Sequence, residues 1–109
     1  MNEVVTTEFT ITEDEKVLTV RAVNSADDYL YWRITKSNPT VVYFESHEER
    51  GPSIVKEVTV DGDGTHIVLQ GGKMIHFYFS MDARENIQVF KEALARIYSS
   101  NKRVLEIVD

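Results

Sequence analysis

Tyr29-Leu30-Tyr31-Trp32-Arg33-Ile34-Thr35-Lys36 alternates without a break: Leu30, Trp32 and Ile34 fall on one side of an extended chain, and Tyr29, Tyr31, Arg33 and Thr35 on the other. A period of two, carried by β-branched and aromatic residues, marks a strand with one face in a core and one face outside. Here the outer face is aromatic and cationic. On both sides of this stretch, short runs of the same kind are separated by turn chemistry: Thr12-Glu13-Asp14-Glu15, Asn24-Ser25-Ala26-Asp27-Asp28, Ser37-Asn38-Pro39, residues 47–52, Asp61-Gly62-Asp63-Gly64 and Gly71-Gly72. The spacing predicts seven strands, near 4–11, 16–24, 29–36, 40–46, 53–60, 65–70 and 73–79. Connections this short join antiparallel neighbours.

The period then lengthens. Asp82 and Glu85 stand three apart, as in a capping box, and Ile87, Phe90, Leu94, Ile97 and Tyr98 follow at helical spacing with Ala93 between them. A long helix is expected over 82–100, laying its apolar stripe on the sheet. Val104-Leu105-Glu106-Ile107-Val108 reads as an edge strand in preference to a return over the helix. The expected fold is α+β: one bent antiparallel sheet of about seven strands and one C-terminal helix, in a single domain spanning 1–109.

Composition agrees with one domain. The 109 residues are 42% hydrophobic, with two Pro and no Cys, and no low-complexity tract or repeat marks a boundary. A chain of this size buries roughly two thirds of its unfolded surface, so it folds without disulfides or a structural metal. Lack of Cys excludes thiol catalysis and cysteine zinc sites, and fits a reducing compartment. No basic and apolar leader stands at the start, and no apolar run nears the ~20 residues of a membrane helix, so the expected location is the cytoplasm. The net charge of −6 disfavours nucleic acid and anionic membranes and favours a basic partner. Residues 1–30 hold seven acids against Lys16 and Arg21, whereas residues 83–103 hold five bases against Glu85 and Glu92.

The candidates for chemistry do not converge. His47-Glu48-Glu49-Arg50 begins like a zinc-protease motif, but Gly51 occupies the position of the second His. A two-residue Gly71-Gly72 turn sets His66 opposite Phe77 and His76 opposite Ile67, on different faces, where they cannot share a metal; a one-residue slip would reverse this. Asp61-Gly62-Asp63-Gly64 lacks the spaced oxygens of a calcium loop and reads as a tight hairpin. Gly71-Gly72-Lys73 lies between strands and opens no helix, as a phosphate loop must. Hence no metal, no cofactor and no enzymatic activity are expected. The competing expectation is a small hydrolase using His66 or His76 with Glu45 or Glu57. The aromatic residues stand out more: Tyr29, Tyr31 and Tyr43 are the best candidates for an exposed recognition face.

Several segments together resemble the bacterial immunity protein 10 family, small antitoxins paired with polymorphic toxins. They are the acidic turn before Val17-Leu18-Thr19-Val20, Tyr29-Leu30 with Thr35-Lys36-Ser37, Val42-Tyr43-Phe44-Glu45, Ile54-Val55-Lys56-Glu57-Val58-Thr59-Val60, and the Phe77 strand leading to Leu94-Ala95-Arg96-Ile97-Tyr98. The likeness covers most of the chain as a pattern of residue types. His47-Glu48-Glu49-Arg50-Gly51-Pro52 departs from the Gln-containing turn of that family. The resemblance implies an antitoxin that binds a cognate toxin domain and blocks its active site, and the charge suits a basic nuclease. Acids at Glu13, Asp14, Glu15, Asp27, Asp28, Glu45, Glu48 and Glu49 are expected to meet that partner, with Tyr29, Tyr31, Arg33 and Tyr43 as anchors and the loop from His47 through Arg50 as rim. The strand and helix order is also similar to the pleckstrin-homology arrangement, which implies a peptide or small-ligand module. The acidic 12–15 turn has the wrong sign for a phosphoinositide.

Overall fold

The computed structural model describes residues 6–108. Among them, nine strands and one α-helix follow the order β1 (Glu8–Glu13), β2 (Val17–Ser25), β3 (Asp28–Thr35), β4 (Asn38–Ser46), β5 (Arg50–Pro52), β6 (Val55–Val60), β7 (Gly64–Leu69), β8 (Met74–Tyr78), α1 (Arg84–Ile97) and β9 (Leu105–Ile107). The class is α+β, as the periodicities predict. Instead of one bent sheet of about seven strands, however, there are two open sheets, β1-β2-β3-β4-β5 and β8-β7-β6-β9. The chain changes sheet between Pro52 and Val55, where Ser53 takes a positive φ of 54°.

β5 is a strand the spacing does not predict, whereas β9 is the edge strand expected within 104–108. Arg50-Gly51-Pro52 carries turn residues, yet Ser46 N–H donates to Glu49 O at 2.7 Å and folds the chain back so that Arg50 pairs with Glu45. β9 pairs with β6 in parallel, held by Val58 N–H to Val104 O and Val108 N–H to Val60 O. The expected first strand, 4–11, begins outside the described residues, and its observed part runs on through Thr12 and Glu13, so the turn falls at 14–16. There Asp14 Oδ1 accepts from the N–H groups of Lys16 and Val17.

Alternation places the core as expected. Leu18, Val20 and Ala22 of β2, Leu30, Trp32 and Ile34 of β3, and Val42 and Phe44 of β4 all point inward. Val58, Val60, Ile67 and Phe77 face them from the second sheet, and Phe90, Leu94 and Ile97 of α1 complete the cluster. Phe90 stacks on Phe9 at 4.8 Å and lies 5.9 Å from Trp32, centroid to centroid. The Trp32 indole N–H donates to the buried Tyr98 hydroxyl at 3.0 Å, tying the end of the helix to the middle of the first sheet.

The capping box does not form. A 3-10 turn, Met81–Ala83, precedes α1, so the helix starts two residues later than expected, at Arg84, and ends at Ile97. Asp82 thereby leaves the cap position, and its carboxylate accepts from Thr6 Oγ1 at 3.1 Å. Ser80 Oγ accepts from Thr7 N–H and Ser80 N–H donates to Thr7 Oγ1, each at 2.8 Å. The residues suited to capping instead fasten the start of β1.

Candidate functional site

The outer face of the first sheet brings five of the eight sequence-predicted site residues together. Across β2, β3, β4 and β5 the register sets Arg21, Tyr31, Glu45 and Arg50 in one row, and Thr19, Arg33, Tyr43 and Pro52 in the next. Tyr29 stands two residues before Tyr31 on the same face of β3. Arg21, Tyr29, Tyr31, Arg33, Tyr43 and Glu45 line a shallow hollow of about 350 Å³.

Glu45 organises this face. Tyr29 Oη donates to its Oε2 at 2.7 Å and Tyr43 Oη to its Oε1 at 2.9 Å, so one carboxylate orients two phenols. Those two bonds, from Tyr29 and then Tyr43, hold the Glu45 carboxyl below its usual pKa, with Arg50 and Arg21 adding to the effect. The same bonds push both phenols up. The Arg33 guanidinium sits 4.6 Å from the Tyr43 ring centroid, Arg21 lies 5.7 Å from that of Tyr29, and the Tyr31 and Tyr43 rings meet edge to face at 6.1 Å. Each of these side chains is therefore braced by a neighbour.

Arg21 escaped the sequence reading. The signal was present in the alternation of Leu18, Val20 and Ala22, which turns Arg21 outward beside Tyr31.

His47, Glu48 and Glu49 lie beyond one end of this face, in the β4–β5 turn. His47 and Glu48 share a hollow of about 250 Å³ with Asp27 of the β2–β3 turn and Asp28 at the start of β3, and Tyr29 borders both hollows. His47 Nδ1 is 3.5 Å from Asp27 Oδ1. Lys73 bridges Glu48 at 2.8 Å and Glu49 at 3.1 Å, and its pairing with Glu48 lowers that carboxyl's pKa. Glu49 lines a separate hollow with Arg50, Ile54 and Gly71.

The eight acids expected to meet a basic partner do not share one surface. Glu13 pairs with Lys36 and Arg96 at the far end of the sheet, where Arg96 first and Lys36 second hold its carboxyl at about 2. Asp14 is occupied by the β1–β2 turn. Asp27, Asp28 and Glu48 form the compact acidic group, beside Tyr29.

The two histidines contradict the sequence reading. Three residues, Gln70-Gly71-Gly72, and not two, lie between the last hydrogen-bonded pair of the β7–β8 hairpin, because Gln70 N–H turns away to Ile54 O and Leu69 N–H closes the hairpin on Lys73 O, each at 2.8 Å. Gly72 takes a φ of 92°, open to a residue without Cβ. The register therefore moves by one, and His66 faces His76 directly on the outer surface of the second sheet. By contrast, Asp61-Gly62-Asp63-Gly64 is a tight turn as read: Asp61 Oδ1 accepts from Asp63 and Gly64 N–H.

Among the described residues, no three His, Cys, Asp or Glu side chains gather as a metal cluster, and no helix is long and apolar enough to cross a membrane. Comparison with protein families, with curated proteins and with solved structures gives no match.

Proposed function

We propose that this chain is an immunity protein, a cytoplasmic binder without catalysis of its own, which neutralises a cognate bacterial toxin domain through the outer face of its first sheet. The observation that carries the reading is the braced array of Tyr29, Tyr31, Arg33, Tyr43 and Glu45. Tyr and Arg dominate the energetics of protein interfaces when they stand at the centre of a face with polar groups around them. Asp27, Asp28 and Glu48 at the end of that face suit a basic partner such as a nuclease, steering its approach, while the anchors govern residence. The antitoxin role itself comes from the resemblance described above. A partner bound over the hollow would have its own active site covered.

The test is co-expression with the toxin domain encoded beside it. Growth should be rescued, and Arg33→Ala or Tyr43→Ala should each weaken binding by about 30-fold, the equivalent of a 2 kcal/mol anchor. Failure to bind or protect sinks the reading. So does turnover of phosphodiester or ester substrates that His76→Ala abolishes.

The run of β1–β4, then β6–β8, then α1 favours a second reading, a pleckstrin-homology-like module for a peptide or small ligand. Its sign would be saturable binding without protection. The β1–β2 turn, Asp14-Glu15-Lys16, still speaks against a phosphoinositide.

A further inference from the structure

His66 of β7 and His76 of β8 stand in register at a special kind of position. The pairs Leu69/Lys73 and Asp63/Phe79 on either side are hydrogen-bonded, so the antiparallel alternation makes His66/His76 a non-hydrogen-bonded pair. At such pairs the side chains run closest together. Here the two Nδ1 atoms are 2.8 Å apart, with ring planes at 61°. Two imidazole lone pairs cannot face each other at that distance with nothing between them. Either a proton or a cation must lie on the line.

The surroundings choose which nitrogen of His66 is free. Its Nε2 is 3.2 Å from Asp61 Oδ2, and a carboxylate there keeps the proton on Nε2 and the lone pair on Nδ1. Asp61 cannot easily turn away, because its Oδ1 is held by Asp63 N–H at 2.8 Å and Gly64 N–H at 2.9 Å. A carboxylate on the far nitrogen of an imidazole is the usual outer support of a metal-bound histidine. The Tyr78 ring, nearly parallel to His76 at 17°, walls one side.

We infer that His66 and His76 form a two-imidazole site for a borderline divalent transition cation, such as Zn(II), Ni(II) or Cu(II), with Asp61 as its supporting carboxylate. Tetrahedral zinc with nitrogens at about 2.0–2.1 Å sets those nitrogens about 3.3–3.4 Å apart. The rings therefore open by about 0.5 Å from their 2.8 Å separation, a small tilt for side chains at the surface. On binding, His76 shifts its proton from Nδ1 to Nε2, and both nitrogens facing the ion become donors of a lone pair. Water fills the remaining positions. Hard cations such as Mg(II) take oxygen ligands and are refused.

The experiment titrates the full chain with Zn(II) or Ni(II) alone in a non-coordinating buffer, following histidine ring resonances by NMR and affinity by calorimetry. The His66 and His76 rings should respond together, ahead of His47. His66→Gln and His76→Gln should each cost at least tenfold in affinity. Asp61→Asn keeps an oxygen for the turn yet should weaken binding by about 10- to 100-fold. Circular dichroism of each variant checks that the fold is kept, and Mg(II) should leave the rings unmoved. Metal binding that survives loss of both imidazoles, or rings indifferent to millimolar Zn(II), overturns the site. Wild-type affinity in Asp61→Asn removes that residue from it.

Discussion

Tyr98→Phe removes one atom, the oxygen that accepts from the Trp32 indole at 3.0 Å, and leaves both rings in place. Trp32 is 0% exposed and Tyr98 2%, so no water can replace the lost partner without opening the core. An orphaned buried donor costs about 1–3 kcal/mol, more than the bond itself contributes. For a domain of this size each kcal/mol lowers the melting temperature by roughly 4–8 °C. Trp32 is the only tryptophan in the chain, so urea unfolding followed by its fluorescence reports on the site of the change. The midpoint should fall with the slope unchanged, since the surface exposed on unfolding is the same. A second reading comes from alkali. Burial pushes the Tyr98 phenol far above its usual value, so above about pH 10 the unfolded chain releases a proton that the folded chain retains. Stability is full below that pH and declines as pH rises, and Tyr98→Phe should blunt the decline. A loss under about 0.5 kcal/mol, the range of neutral surface changes, together with an unaltered alkaline limb, would refute the reasoning.

Other substitutions probe separate parts of the chain. Leu94→Ala should cost about 2–5 kcal/mol and Phe90→Ala about 3–5 kcal/mol in the same urea assay, because both side chains are fully buried beneath the first sheet. Thr65→Val should be neutral or stabilising, since the buried Thr65 hydroxyl has no hydrogen-bond partner among the described residues and its methyl replacement needs none. Glu45→Gln should lower the alkaline titration midpoints of Tyr29 and Tyr43, read by phenolate absorbance, as the carboxylate that raises them is gone. Acidification should weaken the fold as pH falls from the usual carboxylate range toward about 2, where Glu13 finally protonates and releases Arg96 and Lys36; Glu13→Gln should flatten that limb of the pH–stability curve.

What could be read from the sequence was set by periodicity. Leu30, Trp32 and Ile34, and the helical stripe from Ile87 through Ile97, had to find a core, and every one is buried. Where a hydrogen bond to a distant residue decides the outcome, local pattern has no access to it. Gln70 N–H bonding to Ile54 O lengthens the β7–β8 loop by one residue and carries the histidines to one face. Thr6 drawing Asp82 out of the cap position is a contact across 76 residues of chain. Arg50-Gly51-Pro52 reads as a turn and pairs as a strand because β4 offers it an open edge. The candidate face shows the same division: alternation turned Tyr29, Tyr31 and Arg33 outward, but Glu45 joining Tyr29 and Tyr43 needed the register of two strands.

The position of α1 after the whole first sheet and all of the second but β9 has a consequence for the chain as it is made. Strands β1 to β4 leave the ribosome in order and can pair with their neighbours at once, through turns of two or three residues. Their inward row, with Trp32 and Phe44 at its centre, gains part of its cover from Val58, Val60, Ile67 and Phe77 and lacks the rest until Phe90, Leu94 and Ile97 have been added. Vectorial synthesis thus passes through a stage with a paired but incompletely covered apolar surface, which favours aggregation or chaperone capture. Premature stops upstream of Phe90 should yield insoluble fragments, whereas losses confined to β9 should spare solubility, because β9 closes only the edge of β6.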